Sequence, residues 1–203
     1  MRKKLPLFVE RVVAEAMATQ IRSSQEHELQ LGRNHVFSCR AGCSYCCHHP
    51  FLITIVEGLL LYRGLSSKGR WTPSLKKRVK EARDKTLGLA FDVWLLSNMP
   101  CPLLDENKLC SAYESRPLHC RTTFSNGNPA FCHPHELGEG TGLLPNVNVV
   151  SDFNGRVQTL LRRIKIPGPL MPLSEAVLIG EAIATGELSI EESALQLVKD
   201  MSK

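Results

Sequence analysis

Apolar positions recur at helical spacing along most of the chain. Phe8, Val12, Val13, Ala16, Met17 and Ile21 fall on one face, predicting an amphipathic helix over 5–31 that stops at Gly32. Thr54-Ile55-Val56-Glu57 has the capping-box pattern, in which a threonine and a glutamate three residues on accept each other's backbone donors. It predicts a short helix to about Arg63, ended by Gly64. Thr72-Pro73 sets a capping side chain before a proline, whose missing N–H costs nothing at a helix start. A long helix to about Ser97 should follow, with Leu75, Val79, Ala82, Leu89, Val93 and Trp94 inward and Gly88 as its weak point. Farther on, Phe153, Val157, Leu160, Leu161 and Ile164 form another apolar face. Ser174 to Ala184 reads as a helix stopped by Gly186. Ser189-Ile190-Glu191-Glu192 opens a last helix carrying Leu195, Leu197 and Val198. Asn146 to Val150 fits a short strand or a helix lead-in.

The periodicity fails in two places. Residues 39–47 form a cysteine cluster closed by His48-His49-Pro50, where the residue before proline avoids helix. Met99 to Pro134 shows no period and holds Pro100, Pro102, Pro117, Pro129 and Pro134. An irregular run of that length in a compact domain needs a fastener. Leu137 to Pro145 reads as a Gly-rich loop, and strand signals are almost absent. The predicted class is all-α: a single helical domain over 1–203 around an irregular, cysteine-rich metal-binding centre at 39–135, with flanking helices at 5–31 and 151–201.

Composition narrows the function. At 203 residues, 43% of them apolar and 22% charged, the chain is long and apolar enough to fold around a core. A net charge of +5 is mild and does not call for a nucleic-acid partner. The basic run Lys76 to Lys85 is interleaved with Glu81 and Asp84, and like Arg162 to Lys165 it reads as a solvated helix face. Phe51 to Tyr62 is too short to span a bilayer and holds Glu57, so no membrane partner is expected. Met1-Arg2-Lys3-Lys4 is followed by Glu10, Arg11 and Glu15, which does not fit an export signal. The expected location is the cytoplasm, where clustered cysteines are metal ligands or redox groups more often than disulfides. The sequence holds no phosphate-binding loop, dinucleotide fingerprint or Ser-His-Asp order.

All eight cysteines fall in two groups, Cys39-x3-Cys43-x2-Cys46-Cys47 and Cys101-x8-Cys110-x9-Cys120-x11-Cys132. Thiolates are soft anionic donors suited to zinc and iron, and gaps of two or three residues let a chain turn around one ion. Cys43, Cys46, Cys47, Cys101, Cys110 and Cys120 are the first candidate ligands, with Cys39 and Cys132 next. Adjacent side chains point apart, so Cys46 or Cys47 should serve a different site or a bridge. Two four-thiolate sites and one cluster with spare ligands both remain open. The competing reading, buried apolar thiols or disulfides, fits Cys132 best. Of the nearby His48, His49, His119, His133 and His135, His48 and His133 directly follow cysteines and are the better candidates, against the plainer reading of partly exposed loop histidines. Arg116 and Arg121 flank the cysteines, to offset thiolate charge or to make surface ion pairs. Tyr113 reads as packing, and Asp105-Glu106-Asn107-Lys108 as a solvent-facing turn.

The run from Cys39 to His48 with Thr54 and Glu57 is joined by Cys101-Pro102-Leu103-Leu104, Cys110, Tyr113, Arg116-Pro117-Leu118 and Cys120-Arg121. Together these resemble the CxxCxxCC (YkgJ-like) cysteine-cluster family over about 39–132. The first gap is three residues here against the family's two, and Cys132 lies beyond the usual motif. The resemblance implies a zinc or iron centre, with an iron–sulfur cluster among the options, in a metal-binding protein of structural or metal-handling role. Flagellin lysine N-methylases share the motif, so the alternative is an iron–sulfur protein with redox or S-adenosylmethionine-dependent methyltransferase activity. Cys39-x3-Cys43-x2-Cys46 also has the spacing of radical S-adenosylmethionine enzymes, which need alternating strands and helices that this sequence does not display.

Overall fold

The computed structural model describes residues 39–188 except 41, 126, 127, 134–142, 146 and 164–169, together with ten positions between 11 and 29. Those ten, from Arg11 to Leu29, are all helical, as the first apolar pattern predicts. Ile21 is exposed rather than inward; the rest of that predicted face, the predicted C-terminal helix and His135 lie outside the described residues.

The described chain is mostly helical. After a 3₁₀ turn at Tyr45–His48 come β1 (Leu52–Ile53), α1 (Ile55–Ser67), α2 (Pro73–Thr86) and α3 (Phe91–Leu96). A long irregular stretch leads to α4 (Leu118–Arg121), β2 (Thr123–Ser125) and a 3₁₀ turn at Pro129–Cys132. Then follow β3 (Leu143–Pro145), α5 (Val147–Arg163), β4 (Met171–Pro172) and α6 (Leu173–Thr185). The strands form two antiparallel pairs. β1 meets β4 with Leu52 opposite Pro172, and β2 meets β3 with Phe124 opposite Leu144. β3 lies within the predicted Gly-rich loop, and the described part of the ambiguous 146–150 segment, from Val147 on, is helix.

The capping box is present: Thr54 Oγ1 accepts the Glu57 N–H, and Glu57 accepts the Thr54 N–H at 3.0 Å. α1 does not stop at Gly64 but runs on to Ser67. Gly64 is small for packing instead, since a Cβ there would lie 2.4 Å from Ser115 Oγ. The long helix predicted from Pro73 to Ser97 is broken after Thr86. Gly88 takes a left-handed φ of +74° and the chain restarts as α3. The turn resets the face, so Leu75 and Val79 are buried as predicted while Leu89 and Val93 are exposed. α6 ends at Gly186, left-handed at φ +77°.

α1 and α6 form the centre of the core, with α2 and α5 contributing Leu75, Val79, Phe153 and Val157. Their contact is close because Gly58 faces Ala176 and Gly180: a Cβ on Gly180 would lie 2.6 Å from the Gly58 carbonyl. Trp71 Nε1 donates to Glu181 at 2.8 Å, and Lys76 pairs with the same carboxylate at 2.8 Å. Leu103, Ala112 and Leu118, from the irregular stretch, are buried in this core. No helix among the described residues is long and apolar enough to cross a membrane.

Candidate metal centre

The two cysteine groups meet through backbone first. The Cys101 N–H donates to the Cys47 carbonyl at 2.8 Å, joining the loop after the first cluster to the start of the second. Leu104 and Cys110 then pair antiparallel around the predicted turn. There Asp105 Oδ1 accepts the Asn107 and Leu109 N–H groups, and Lys108 takes a φ of +60°. Glu106, Asn107 and Lys108 are exposed, as the turn reading requires.

Cys120 sits on α4. The first N–H of that helix, from Leu118, has no partner within the helix and donates to Glu57 Oε1 at 3.0 Å. One buried carboxylate thus starts two helices, α1 through Thr54 and α4 through Leu118. Burial pushes the Glu57 pKa up against the pull of these donors. The capping signature was visible in the sequence; the second partner, 61 residues away, was not.

A cavity of about 580 Å³ is lined by Cys43, Cys46, Cys47, Cys101, Cys110 and Cys120, with Leu61 and Leu103 on its apolar side. Within it, Cys46, Cys101, Cys110 and Cys120 lie in reach of one another's charge. Cys101 is acted on by Cys110 and Cys46, Cys110 by Cys46, and Cys120 by the other three. Burial is the largest cause that raises Cys101, to about 12, and it also raises Cys110 and Cys120. Cys46 is raised first by a hydrogen bond with Cys47 and then by burial. Three cations oppose these shifts: Arg116 at Cys46, Cys110 and Cys120, Arg70 at Cys110, and Arg78 at Cys101.

Arg116 stacks 3.8 Å from the centroid of the Tyr113 ring, and its Nε donates to the Tyr113 carbonyl at 3.0 Å. Arg121 holds that loop from the other side, donating to the Arg116 carbonyl at 2.9 Å and to the Glu114 carbonyl. Tyr113 is exposed and serves as the plate under Arg116 rather than as core. Arg70, whose guanidinium also holds the Ser111 carbonyl at 2.9 Å, carried no signal in the sequence. Arg78 did not either, because its helix reads as a solvated basic face.

Cys39 and Cys132 lie elsewhere, at Ser125 of β2. Cys39 Sγ accepts the Ser125 N–H at 3.3 Å, and the Ser125 side chain hydrogen-bonds Cys132. Cys39 is exposed and Cys132 is buried. Cys132 is also tied to the first loop, because a His49 ring nitrogen donates to its carbonyl at 2.6 Å. His48 uses Nδ1 on the Ser44 carbonyl at 3.3 Å, and its ring lies 5.2 Å from that of His133. His119 packs against Phe51. Burial lowers the pKa of both His49 and His119.

All eight cysteines are free thiols. Among the described residues, no group of three or more His, Cys, Asp or Glu side chains is closed to the geometry that holds a metal ion. Six cysteines line one cavity without that closure, and binding would require their sulfurs to draw together. The donor set fits zinc or iron chemically. Thiols of high pKa grouped beside guanidinium groups are neutral by themselves, but a cation removes their protons outright and the arginines offset the surplus negative charge. The bound ion would supply a cross-link between distant segments.

Searches of curated proteins and of solved structures return no match. A family model does match residues 38–137, and its description is "putative zinc- or iron-chelating domain". This span covers all eight cysteines as well as Glu57, Arg116 and Arg121. Residues 38–137, just under half of the chain, thus match the CxxCxxCC family of zinc- or iron-chelating domains.

Proposed function

We propose that the protein binds zinc or iron at a four-thiolate centre made by Cys46, Cys101, Cys110 and Cys120, and that this centre fastens the irregular 99–134 stretch to the helices as one domain. The observation that carries the reading is the convergence of these thiols. They come from three separate backbone settings, face one cavity and act on one another's charge. Four-thiolate sites are closed and tetrahedral, and they contribute folding energy directly. The clustered cysteines of the sequence fit a reducing compartment such as the cytoplasm.

The half-exposed Cys43 and Cys47 on the same cavity favour metal handling as a second reading, since accessible thiols exchange soft metals readily. The likeness in spacing to radical S-adenosylmethionine enzymes gains no support: the described strands are two or three residues long and pair antiparallel, unlike the alternating architecture those enzymes need.

The test is anaerobic purification of the full chain, followed by elemental analysis and an absorption spectrum on one sample. Metal bound at whole-number stoichiometry, and lost together with melting temperature in Cys110→Ser/Cys120→Ser, is the expected result. Wild-type protein free of zinc and iron, with every thiol titrating as free, overturns it. A colourless zinc form supports the structural role, and acid-labile sulfide with a visible band makes the centre an iron–sulfur cluster.

A further inference from the structure

A second cavity, of about 610 Å³, shares a wall with the cysteine-lined one, since Cys101, Leu104, Asp105 and Lys108 line both. Its size is that of a site for a small organic ligand. One part of its lining is cationic. Arg78, Glu81 and Lys85 stand at i, i+3 and i+7 on α2, which is one helix face, and Lys108 adds a third cation from the turn. Lys108 is set there by its left-handed φ of +60°, uncommon for a residue with a Cβ, and its N–H donates to the Asp105 carbonyl at 3.1 Å. Among the described residues, none of these three cations is in an ion pair with a carboxylate.

The two carboxylates of the lining are engaged elsewhere. Glu81 lies 3.9 Å from Lys77, which is outside the lining, and Asp105 Oδ1 accepts the Asn107 and Leu109 N–H groups. The basic run of α2 is therefore not uniform: Lys77 and Lys80 stand outside the cavity, while Arg78 and Lys85 line it. The rest of the lining is flat and apolar. The His133 ring lies 5.2 Å from that of His48 and meets the Tyr45 ring edge-on at 6.4 Å, and Pro100 and Pro102 continue the surface. Unpaired cations around a concavity concentrate an anion there, and rings and prolines favour a ligand with an apolar, planar body.

We propose that this cavity binds a small organic anion, its planar body against the rings and its phosphate or carboxylate group held by Arg78, Lys85 and Lys108. The Arg78 guanidinium offers a fork of N–H donors that matches two oxygens of either group, and the two lysines act as point charges. Arg78 and Lys85 are two helical turns apart, about 10 Å along α2, so they hold opposite ends of the site rather than one point. Cys101 in the shared wall sets the bound anion beside the thiol centre. The inference does not rest on the proposed function, because none of the groups that hold the anion is a thiol.

The experiment is calorimetric titration of the full chain, purified anaerobically with whatever metal it carries, at about 0.15 M salt so that diffuse attraction is screened. The probes are adenosine monophosphate and phthalate, each beside a neutral counterpart, adenosine and phthalamide. At least one anion is expected to bind, with its neutral counterpart about tenfold weaker or worse. Binding of the nucleotide alone assigns the group as phosphate, and binding of phthalate alone as carboxylate. Arg78→Gln/Lys85→Gln should weaken the anion by about tenfold or more, while Lys77→Gln/Lys80→Gln, which removes the same charge from the same helix, should not. All four side chains are exposed, so both variants should keep the core, and circular dichroism verifies it. Failure of both anions to bind at millimolar concentration overturns the proposal, as does equal binding of the neutral compounds. An affinity unchanged in the Arg78/Lys85 variant, as for an anion that only meets the metal ion, or lowered equally in both variants, overturns it too.

Discussion

Glu57 concentrates more of the fold than any other single side chain here. Its Oε2 accepts from Thr54 N and Thr54 Oγ1, its Oε1 accepts from Leu118 N, and it is 4% exposed. Removing it leaves these donors buried without partners, at about 1–3 kcal/mol each. Glu57→Ala should therefore lower stability by about 3 kcal/mol or more. It should also weaken metal binding, because α4, which carries Cys120, loses its anchor. Chemical denaturation and metal titration on the same variant check both effects. The residue also carries a pH signature. Burial raises its folded pKa above the unfolded value of roughly 4.3. The stability it contributes is then complete below the unfolded value and declines as pH rises through the folded one. Glu57→Gln does not titrate there, so the wild type should lose ground relative to it as pH rises from about 4. Metal loss at low pH is common to both proteins and cancels in the comparison. A difference in melting temperature that stays constant with pH contradicts the raised pKa.

At the scale of elements, glycines separate into those that packing demands and those it does not. In the α1–α6 crossing, a Cβ on Gly180 meets the Gly58 carbonyl carbon and oxygen at 2.6 Å, and backbone cannot swing aside as a side chain can. Gly180→Ala should cost roughly 1–3 kcal/mol by forcing the helices apart, although alanine is the better helix former. Gly155, inside α5 and exposed, has nothing within 4 Å of its Cβ position. Gly155→Ala should stabilise by about 0.5–1 kcal/mol. Thermal melts of the two variants should move in opposite directions, and a shared direction refutes the packing account. The same contrast explains what the sequence disclosed. Caps are local, so Thr54, Thr72 and Gly186 marked their helix ends correctly. Gly64 and Gly88 are the same residue type in helical surroundings, yet one is an internal contact with Ser115 and the other a left-handed break. Only the tertiary neighbour or the backbone angle separates them, and neither is written in the local pattern. The two cysteine groups were legible from spacing, while the meeting of six of these residues at one cavity and the reach of Arg70 and Arg78 depend on contacts between distant segments.

For the whole molecule, the question is whether the metal makes the fold or only joins its parts. The helical core is self-sufficient by its contacts: α1, α2, α5 and α6 bury Leu59, Leu61, Leu65, Val79, Phe153, Val157 and Val177 almost completely. The 99–134 stretch is held differently. Among the described residues it enters the core at Leu103, Ala112 and Leu118, with Cys101 and Cys110 packed against it, and it is also tied to the helices by the Gly64–Ser115 contact and by bonds such as Arg70 to Ser111 and Glu57 to Leu118. Regular hydrogen bonding inside it is sparse, so local opening should cost less there than in the helices unless a cross-link raises the cost. Stripping the metal with a chelator should then speed amide exchange in 99–125 by an order of magnitude or more, while the α1 and α6 amides keep their protection. Hydrogen exchange read by mass spectrometry, with and without chelator, resolves these segments. Uniform loss of protection would mean that the ion is required for the helical core as well. Unchanged protection everywhere, with the metal gone, would show that the ion is carried rather than used as a fastener, and would transfer the case from structure to metal handling.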